Sequence, residues 1–455
     1  LGDVYKRQVY FLMRILNDRS SVFRYLEIPF SNKANKKISK IVIDSRNVKE
    51  HCLFFGLEGK NTNGSLFAEE ALQNGASLVV SSNKSITVDS PNHIFHESPI
   101  DAMGKIASGI INDFTGTIIG VTGSSGKTTV KNLIQHTVND CFGTIGNYNN
   151  EIGLPLSIMN LSQKHKTAVF ELAAGKPKDI DFLAKIVRPH FGIITSIGHA
   201  HLKQMKSIKG VLKTKSEIIT NIRQGGFLLI PHIEYVDYWK SIRNDITAFT
   251  FGDHPDSDYK ISNIESSEQL INFSVYVKEY GQTFDFVTNL LGMHNIQNIT
   301  AAFICSQLID NDHLTFQKRL KAFKNNENRL SLSRWINGST VINDTYNANP
   351  ESTVAGIKVL CDFPKRKIMI FGDMLELGKL SDDFHKMIGN FAKDSNIDLF
   401  IGFGNKTKLS VQAYGKNGLF FSDAKKLNQF LAREIKKDDI IYVKGSRGMK
   451  MERFI

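Results

Sequence analysis

The sequence predicts an α/β protein of three domains, and three observations predict it. Apolar runs of strand length alternate with stretches of helical period along most of the chain, which implies largely parallel sheets covered on both faces. One run, Thr117-Ile-Ile-Gly-Val121, passes directly into Thr122-Gly-Ser-Ser-Gly-Lys-Thr-Thr129 and a helix start, so strand, glycine-rich turn and helix follow one another. The length of 455 residues is enough for about three domains.

The chain begins with Leu1, and Asp3-Val-Tyr-Lys-Arg-Gln8 can be translated from a transposon end used in preparing sequencing libraries. Residues 1–8 are therefore read as an adapter scar and Met13 as the start, which sets residues 1–12 outside the fold. The first expected domain covers residues 13–95. Its strands are Ile41-Val-Ile-Asp-Ser45, Cys52-Leu-Phe-Phe-Gly56 and Ser77-Leu-Val-Val80, with a helix over Gly64–Asn74 ended by Gly75. The second, residues 96–316, holds the glycine-rich turn and further strands at Thr167-Ala-Val-Phe-Glu171, Phe191-Gly-Ile-Ile-Thr195 and Gly226-Phe-Leu-Leu-Ile230. Residues 245–290 alternate apolar and polar as antiparallel strands do, before a helix near His294 to Leu308. The third, residues 317–455, is again α/β and is expected to be Rossmann-like. Its strands are Thr340-Val-Ile-Asn343, Lys367-Ile-Met-Ile-Phe371, Asp398-Leu-Phe-Ile-Gly402 and Asp439-Ile-Ile-Tyr-Val443, and Met451-Glu-Arg-Phe-Ile455 reads as a final helix cut short.

Composition narrows the function. A hydrophobic fraction of 41% is that of an ordinary globular protein, and no apolar run approaches the length of a membrane span. Cys52, Cys141, Cys305 and Cys361 have no metal or redox spacing and read as reduced thiols of a cytosolic protein. The net charge of +12 would suit nucleic acid, but the lysines are scattered and no basic block is interleaved with aromatics. A solvated basic surface, or affinity for anionic small molecules, is the plainer reading.

The glycine-rich turn is the strongest motif. Backbone N–H groups there, with the positive end of the following helix, form an anion site. Lys127 would reach the outer phosphates of a nucleotide and Thr128 would offer its hydroxyl to Mg²⁺, which makes the middle domain a P-loop parallel-sheet ATPase domain. The standard pattern has glycine where Val121 stands, with Gly120 and Gly123 on either side. Glu171 ends a strand where ligands of open α/β sheets gather; it suits Mg²⁺ as well as it suits a helix cap. Gly198-His-Ala-His201 follows another strand end, where a histidine can ligate metal but is more often structural. Lys213-Thr-Lys-Ser-Glu217, on its residues alone, is a solvated helix face. Gly146-Asn-Tyr-Asn-Asn-Glu-Ile-Gly153 and Asp344-Thr-Tyr-Asn-Ala-Asn-Pro350 are asparagine-rich loops at strand ends; each suits a turn, and the pair favours ligand contact.

Taken together these motifs resemble the Mur ligases, whose ATP loop lacks the first glycine of the standard pattern. Further matches follow in order: Asn147-Tyr-Asn-Asn-Glu-Ile-Gly-Leu-Pro155, Lys215-Ser-Glu217, Gly292-Met-His-Asn295, Asn328-Arg329, Gly372-Asp-Met-Leu-Glu-Leu-Gly378 and Val443-Lys-Gly-Ser-Arg447. The resemblance runs from about residue 41 to the end of the chain. Within the family, Tyr-Asn-Ala-Asn-Pro and Gly-Asp-Met-Leu-Glu-Leu-Gly resemble the branch whose substrates are UDP-N-acetylmuramoyl-tripeptide and D-alanyl-D-alanine. The Asp-Asn-Pro-Arg motif of the branch that adds the preceding diamino acid is not found.

The resemblance implies an ATP- and Mg²⁺-dependent amide ligase of peptidoglycan precursor synthesis that works through an acyl phosphate. It implies ATP contacts at Thr122, Gly123, Ser124, Ser125, Gly126, Lys127, Thr128, Thr129, Asn295, Arg329 and Asp344. Lys127, Glu171, His201 and Lys215 would be catalytic. Thr128 and Glu171 would hold one Mg²⁺; His201, with Lys215 as a carbamate, would serve a second. Ser45 and Arg46 would meet the UDP of the substrate in the N-terminal domain, Asn150 the nucleotide-peptide, and Asn347 and Asn349 the dipeptide. A cytoplasmic monomer without nucleic-acid partner or membrane insertion is expected. The chain departs from the family at Asn63-Gly-Ser65, where Asp-Gly-His is frequent, at Asn328, where glycine is usual, and at His199, where proline is common. Two alternatives remain. Another Mur-type or folylpolyglutamate-type amide ligase would keep the ATP site and change the acceptor. A nucleic-acid-stimulated P-loop NTPase would use the charge but leave Glu171, His201, Lys215 and the C-terminal loops without a role.

Overall fold

The computed structural model describes residues 14–455 apart from 31–34, 60, 87–90, 269 and 311. The suspected adapter segment and Met13 lie outside the described residues.

Three sheets follow one another along the chain. In the first, β1 (Lys40–Val42), β2 (Cys52–Phe55), β3 (Leu78–Ser81) and β4 (His93–Phe95) pair in that order, all parallel. Two expectations are corrected here. The strand expected to reach Ser45 stops at Val42, because the Asp44 side chain accepts from the Arg46 N–H and folds Ser45–Asn47 into a 3₁₀ turn. The helix expected over 64–74 is a 3₁₀ turn, Gly64–Phe67, followed by an α-helix, Ala68–Gln73. Asn63 caps the turn by accepting from the Ser65 N–H, and Gly64 lies so close to the Leu57 backbone that no side chain fits there.

A helix over Pro99–Asp113, capped by Ser98 and opened by proline, joins the first two sheets. Its buried Met103, Ile106 and Ile110 share one core with Leu53 and Val80 of the first sheet and with Ile118 and Phe170 of the second. The second sheet has nine strands: β5 (Thr117–Thr122), β6 (Cys141–Gly143), β7 (Thr167–Glu171), β8 (Phe191–Ile194), β9 (Phe227–Pro231), β10 (Thr247–Gly252), β11 (Tyr259–Ser266), β12 (Ile271–Val277) and β13 (Gln282–Thr288). Their order is β13-β12-β11-β10-β9-β8-β5-β7-β6. The antiparallel pairing expected for residues 245–290 joins β11 to β12 and β12 to β13 only. β10 runs parallel to β9, and β11 keeps that direction, meeting β10 at Phe251–Tyr259 and Gly252–Lys260. β10 is exposed at Thr247 and buried from Thr250 to Gly252, so its burial is graded along the strand and does not alternate as that of a two-faced strand would.

On the other face of this sheet the helix Met293–Ile309 is buried along most of its length and packs on Lys127–Thr137, the helix that follows the glycine-rich turn. Phe303 centres an aromatic cluster, with ring centroids 4.9 Å from Phe286, 5.2 Å from Phe284 and 5.4 Å from Phe316. Phe303→Ala is expected to cost about 3–5 kcal/mol of stability, because the rings around it belong to β13 and to the helix His313–Ala322, which cannot both collapse into the hole. Urea unfolding of the purified protein measures it.

The third sheet holds β14 (Ser331–Arg334), β15 (Thr340–Asp344), β16 (Lys367–Gly372), β17 (Leu399–Phe403), β18 (Gly418–Phe421) and β19 (Ile440–Lys444), in the order β14-β15-β19-β16-β17-β18. All neighbours are parallel except β14 and β15. The fold is therefore α/β with parallel cores in three units, as expected. Asp344 and Lys444 end adjacent strands, paired in register, and so share one carboxyl edge. Among the described residues no helix is long and apolar enough to cross a membrane.

Candidate active site

β8, β5 and β7 are neighbours, so Thr122, Glu171 and Ile194 end at one edge of the central sheet. The glycine-rich turn rises from that edge. Gly123 and Gly126 both take positive φ, at 145° and 87°. A Cβ at Gly126 would strike the Asn298 side chain on the facing helix, so glycine is required there on two counts. Ser125 N–H donates to Ser196 Oγ at 2.9 Å, and the Thr195 hydroxyl donates to the Ser125 carbonyl. These bonds tie the turn to the segment after β8.

The side chains gather around a cleft of about 280 Å³. Lys127 is half-buried; its Nζ donates to the Gly123 carbonyl at 2.8 Å and to that of Ser124 at 3.4 Å. Burial lowers its ammonium pKa, Glu171 opposes that shift, and Arg329 adds to it. Thr128 Oγ1 donates to Glu171 Oε2 at 2.7 Å, and Asn149 Nδ2 donates to Glu171 Oε1 at 2.9 Å. Glu171 N–H in turn donates to Thr144 Oγ1 at 2.8 Å, so the residue is held at its backbone as well as at both carboxylate oxygens. Thr129 also lines the cleft, whereas Thr122 is buried below it and donates to the Leu172 carbonyl at 3.0 Å.

The C-terminal segment closes over this group. Arg329 donates from its guanidinium to Thr128 Oγ1 at 2.9 Å and stacks 3.9 Å over the Tyr346 ring. Asn349 Nδ2 donates to Ser125 Oγ at 3.1 Å, while its Oδ1 caps the helix Pro350–Cys361 by accepting from Ser352 N–H at 2.8 Å. Asp344 lines the cleft beside Asn295; its Oδ2 accepts from Lys444 Nζ at 2.5 Å and from the Tyr442 hydroxyl at 3.0 Å. Asn295 is buried, held by the Leu291 carbonyl at 2.7 Å and by Asn298 at 3.1 Å.

His201 lines the same cleft, and its Nδ1 lies 2.5 Å from Glu376 Oε2. Burial lowers its pKa, against the pull of Glu376. Lys215 sits in the last turn of the helix Ile208–Ser216 and is only 2% exposed. The helix face there is packed, not solvated as its residues alone suggest. Burial, and then Lys127 nearby, push the Lys215 ammonium down to about 7.

These geometries place most of the sequence-selected residues around one cleft, and the profiles of known families cover the segments that carry them. Residues 37–109 match the Mur ligase family catalytic domain, 121–306 the Mur ligase middle domain and 328–447 the Mur ligase glutamate ligase domain. A UDP-N-acetylmuramoyl-tripeptide–D-alanyl-D-alanine ligase of Buchnera aphidicola subsp. Baizongia pistaciae is 34% identical over 91% of this chain and 91% of its own. The chain belongs to the Mur ligase family. The Bacillus subtilis protein of the same name is 29% identical over 92% of both chains. Among solved structures, MurF from Acinetobacter baumannii matches with a TM-score of 0.86 at 25% identity, over 96% of this chain and 97% of that one. MurF from Thermotoga maritima, solved with ADP, matches at 0.81 and 29% identity, over 91% and 96%.

Ser45, Arg46 and Asn150 of this Mur ligase do not line the cleft. Ser45 and Arg46 sit in the 3₁₀ turn after β1, where the Arg46 guanidinium pairs with Asp44 at 2.6 Å. Asn150 is exposed and accepts from the Gly153 N–H at 2.8 Å, while its neighbour Asn149 is the one that meets Glu171. Asn347 is exposed at the cleft rim. Asn149, Lys444, Tyr346 and Glu376 escaped the reading of the sequence. The first was hidden by an identical neighbour; the others lie within quoted motifs, but their partners are remote in the chain.

Proposed function

We propose that this Mur ligase joins D-alanyl-D-alanine to UDP-N-acetylmuramoyl-tripeptide with ATP, in peptidoglycan precursor synthesis. The observation that carries this reading is that residues of the C-terminal segment, Arg329 and Asn349, bond directly to Thr128 and Ser125 of the glycine-rich turn. An NTPase that only hydrolyses ATP can use such an arginine for charge, but it does not need a cap that excludes water. A ligase does, because it must shield a reactive acyl phosphate from water. The relatives named above, matching over nine-tenths of the chain, support the choice of substrates.

The chemistry answers a leaving-group problem. An amine cannot displace oxide from a carboxylate. The terminal carboxylate of the tripeptide therefore attacks the γ-phosphorus of ATP and ADP departs. The dipeptide amine then adds to the acyl carbon, loses a proton, and phosphate leaves as the amide forms. Lys127 neutralises the transferring phosphoryl group and Arg329 the charge beside it. Asn295 and Asp344 hold the nucleoside, with Asp344 itself held by Lys444 and Tyr442.

The donor set at the head of the helix suits Mg²⁺. Thr128 Oγ1 and Glu171 Oε2 are hard oxygen ligands already 2.7 Å apart, with the carboxylate fixed by Asn149. Mg²⁺ bound there would offset phosphate charge. His201 and Lys215, as a carbamate, would serve a second ion. Residues 13–95 form the UDP-binding domain, with Ser45 and Arg46 at the nucleotide; 96–316 form the ATP domain and 317–455 the closing domain. Asn150 lies toward the peptide of the nucleotide substrate, and Asn347 and Asn349 toward the dipeptide. The enzyme acts as a cytoplasmic monomer; its four cysteines are free thiols in the structure.

Phosphate release from ATP tests the reading. Release is expected only when UDP-N-acetylmuramoyl-tripeptide and D-alanyl-D-alanine are supplied together, with a pentapeptide product by mass. Release with neither substrate, or with DNA or RNA instead, overturns it.

A further inference from the structure

We infer that Glu376 is the positioning residue for His201, and that the second metal site is complete only when the C-terminal domain delivers this carboxylate. The inference rests on the reading of His201 as a metal ligand. Two histidines of the segment Gly198-His-Ala-His201 face carboxylates of the C-terminal domain, each through Nδ1. His199 Nδ1 lies 2.5 Å from Glu351 Oε1, and the His199 N–H donates to the same oxygen at 3.0 Å. His201 Nδ1 lies 2.5 Å from Glu376 Oε2.

The two pairs have different surroundings. His199 packs its ring 4.8 Å from Phe384 and lines a separate groove of about 1000 Å³ with Met293, Val354 and Met387. His201 lines the cleft of Lys127, Thr128 and Glu171. Its Nε2 takes no protein hydrogen bond among the described residues. A carboxylate on Nδ1 fixes the tautomer that leaves the Nε2 lone pair for a cation, and it raises the basicity of the ligand. His199 has the same partner type but faces away from the phosphate site, so its pair is a clasp between domains.

The backbone supports the assignment. His201 and Glu376 both take left-handed conformations, with φ of 55° and 65°. Such conformations persist where surrounding contacts over-determine them. Here the Lys203 N–H donates to the Glu376 carbonyl at 3.0 Å, and Gly378 packs against the Lys203 backbone. The loop 376–378 is thus docked on the turn 201–203 by main chain and side chain together. Glu376 belongs to the motif Gly372-Asp-Met-Leu-Glu-Leu-Gly378, for which the chemistry above has no other use.

The test is Mn²⁺ binding to the full-length protein with a non-hydrolysable ATP analogue, read by electron paramagnetic resonance without turnover. Wild type is expected to bind two Mn²⁺. Glu376→Gln and Glu376→Ala are expected to weaken the second site about 10–100-fold and leave the first unchanged. Glu351→Gln is expected to leave both sites as they are. If His201→Ala does not alter Mn²⁺ binding, or wild type binds one ion, the reading of His201 as a ligand fails. If His201→Ala removes the second ion but both Glu376 variants bind as wild type does, the role of Glu376 fails while that reading stands. Equal weakening by Glu351→Gln and Glu376→Gln also overturns it, since the effect would then belong to domain docking in general. Circular dichroism melts of each variant show that the folded protein is being compared.

Discussion

Lys127→Ala is expected to lower the single-turnover rate of acyl-phosphate formation on the order of 10³-fold or more. In the proposed mechanism the Lys127 ammonium carries the charge for phosphoryl transfer at the turn, and its Nζ already bonds the turn's own carbonyls at Gly123 and Ser124. Those bonds hold the side chain folded over the loop, ready to exchange carbonyl partners for phosphate oxygens. Binding of ADP is expected to weaken far less than the rate, because the backbone N–H groups of the turn remain. Lys127→Arg should not restore activity: the larger guanidinium has little room in a turn pressed on Asn298 and Thr195. Rapid-quench measurement of ADP formation with the nucleotide-peptide substrate decides it. A rate within tenfold of wild type for Lys127→Ala would remove Lys127 from the phosphoryl-transfer step.

Lys215→Ala is expected to lose about 10²-fold or more in turnover, and small carboxylates such as formate or acetate are expected to recover part of it. The reason lies in how the side chain is housed. A buried ammonium beside Lys127 is disfavoured, and its pKa falls to about 7. Near neutral pH much of the amine is therefore unprotonated, and only that form attacks CO₂. The product is an anion, which the Lys127 charge attracts for the same reason that it disfavours the cation. The sign of the pH dependence follows: protonation removes the nucleophile, so the carbamate is lost as pH falls through about 7. Carbon-13 resonances from labelled CO₂ should show a carbamate signal at mildly alkaline pH that fades on acidification and is absent from Lys215→Ala. A fully active Lys215→Ala would rule the carbamate out.

How far the sequence reaches is clearest at particular residues. The turn Thr122–Thr129 was legible because its chemistry is contiguous: strand, glycines, lysine and threonine follow one another, and each is used where it stands. Glu171 was legible because a strand end needs only local pattern to be recognised. Asn149 and Asn150 are not separable in the sequence, since the backbone dihedrals of a loop decide which faces Glu171 and which accepts from the Gly153 N–H. Asn349 reads as a ligand contact; what the structure gives it is a helix cap and a bond to Ser125. Lys215 read as solvated because helical spacing alone cannot tell which face another layer will cover. β10 reads as antiparallel because polar and apolar residues interleave over Thr247-Ala-Phe-Thr-Phe251, whereas its burial is graded from exposed to buried along the strand.

By itself the sequence determined most of the strands, the α/β class and the glycine-rich turn, because these rest on hydrophobic period, glycine conformation and neighbours close in the chain. Only the tertiary structure decided which carboxylate meets which histidine, that Arg329 reaches Thr128 across the domain boundary, and that Lys444 and Tyr442 hold Asp344. Those pairs are separated by many residues; the first two form where domains dock, and the last where β15 and β19 pair in register within one sheet. No local preference encodes that distance, so only the docked packing could bring them together.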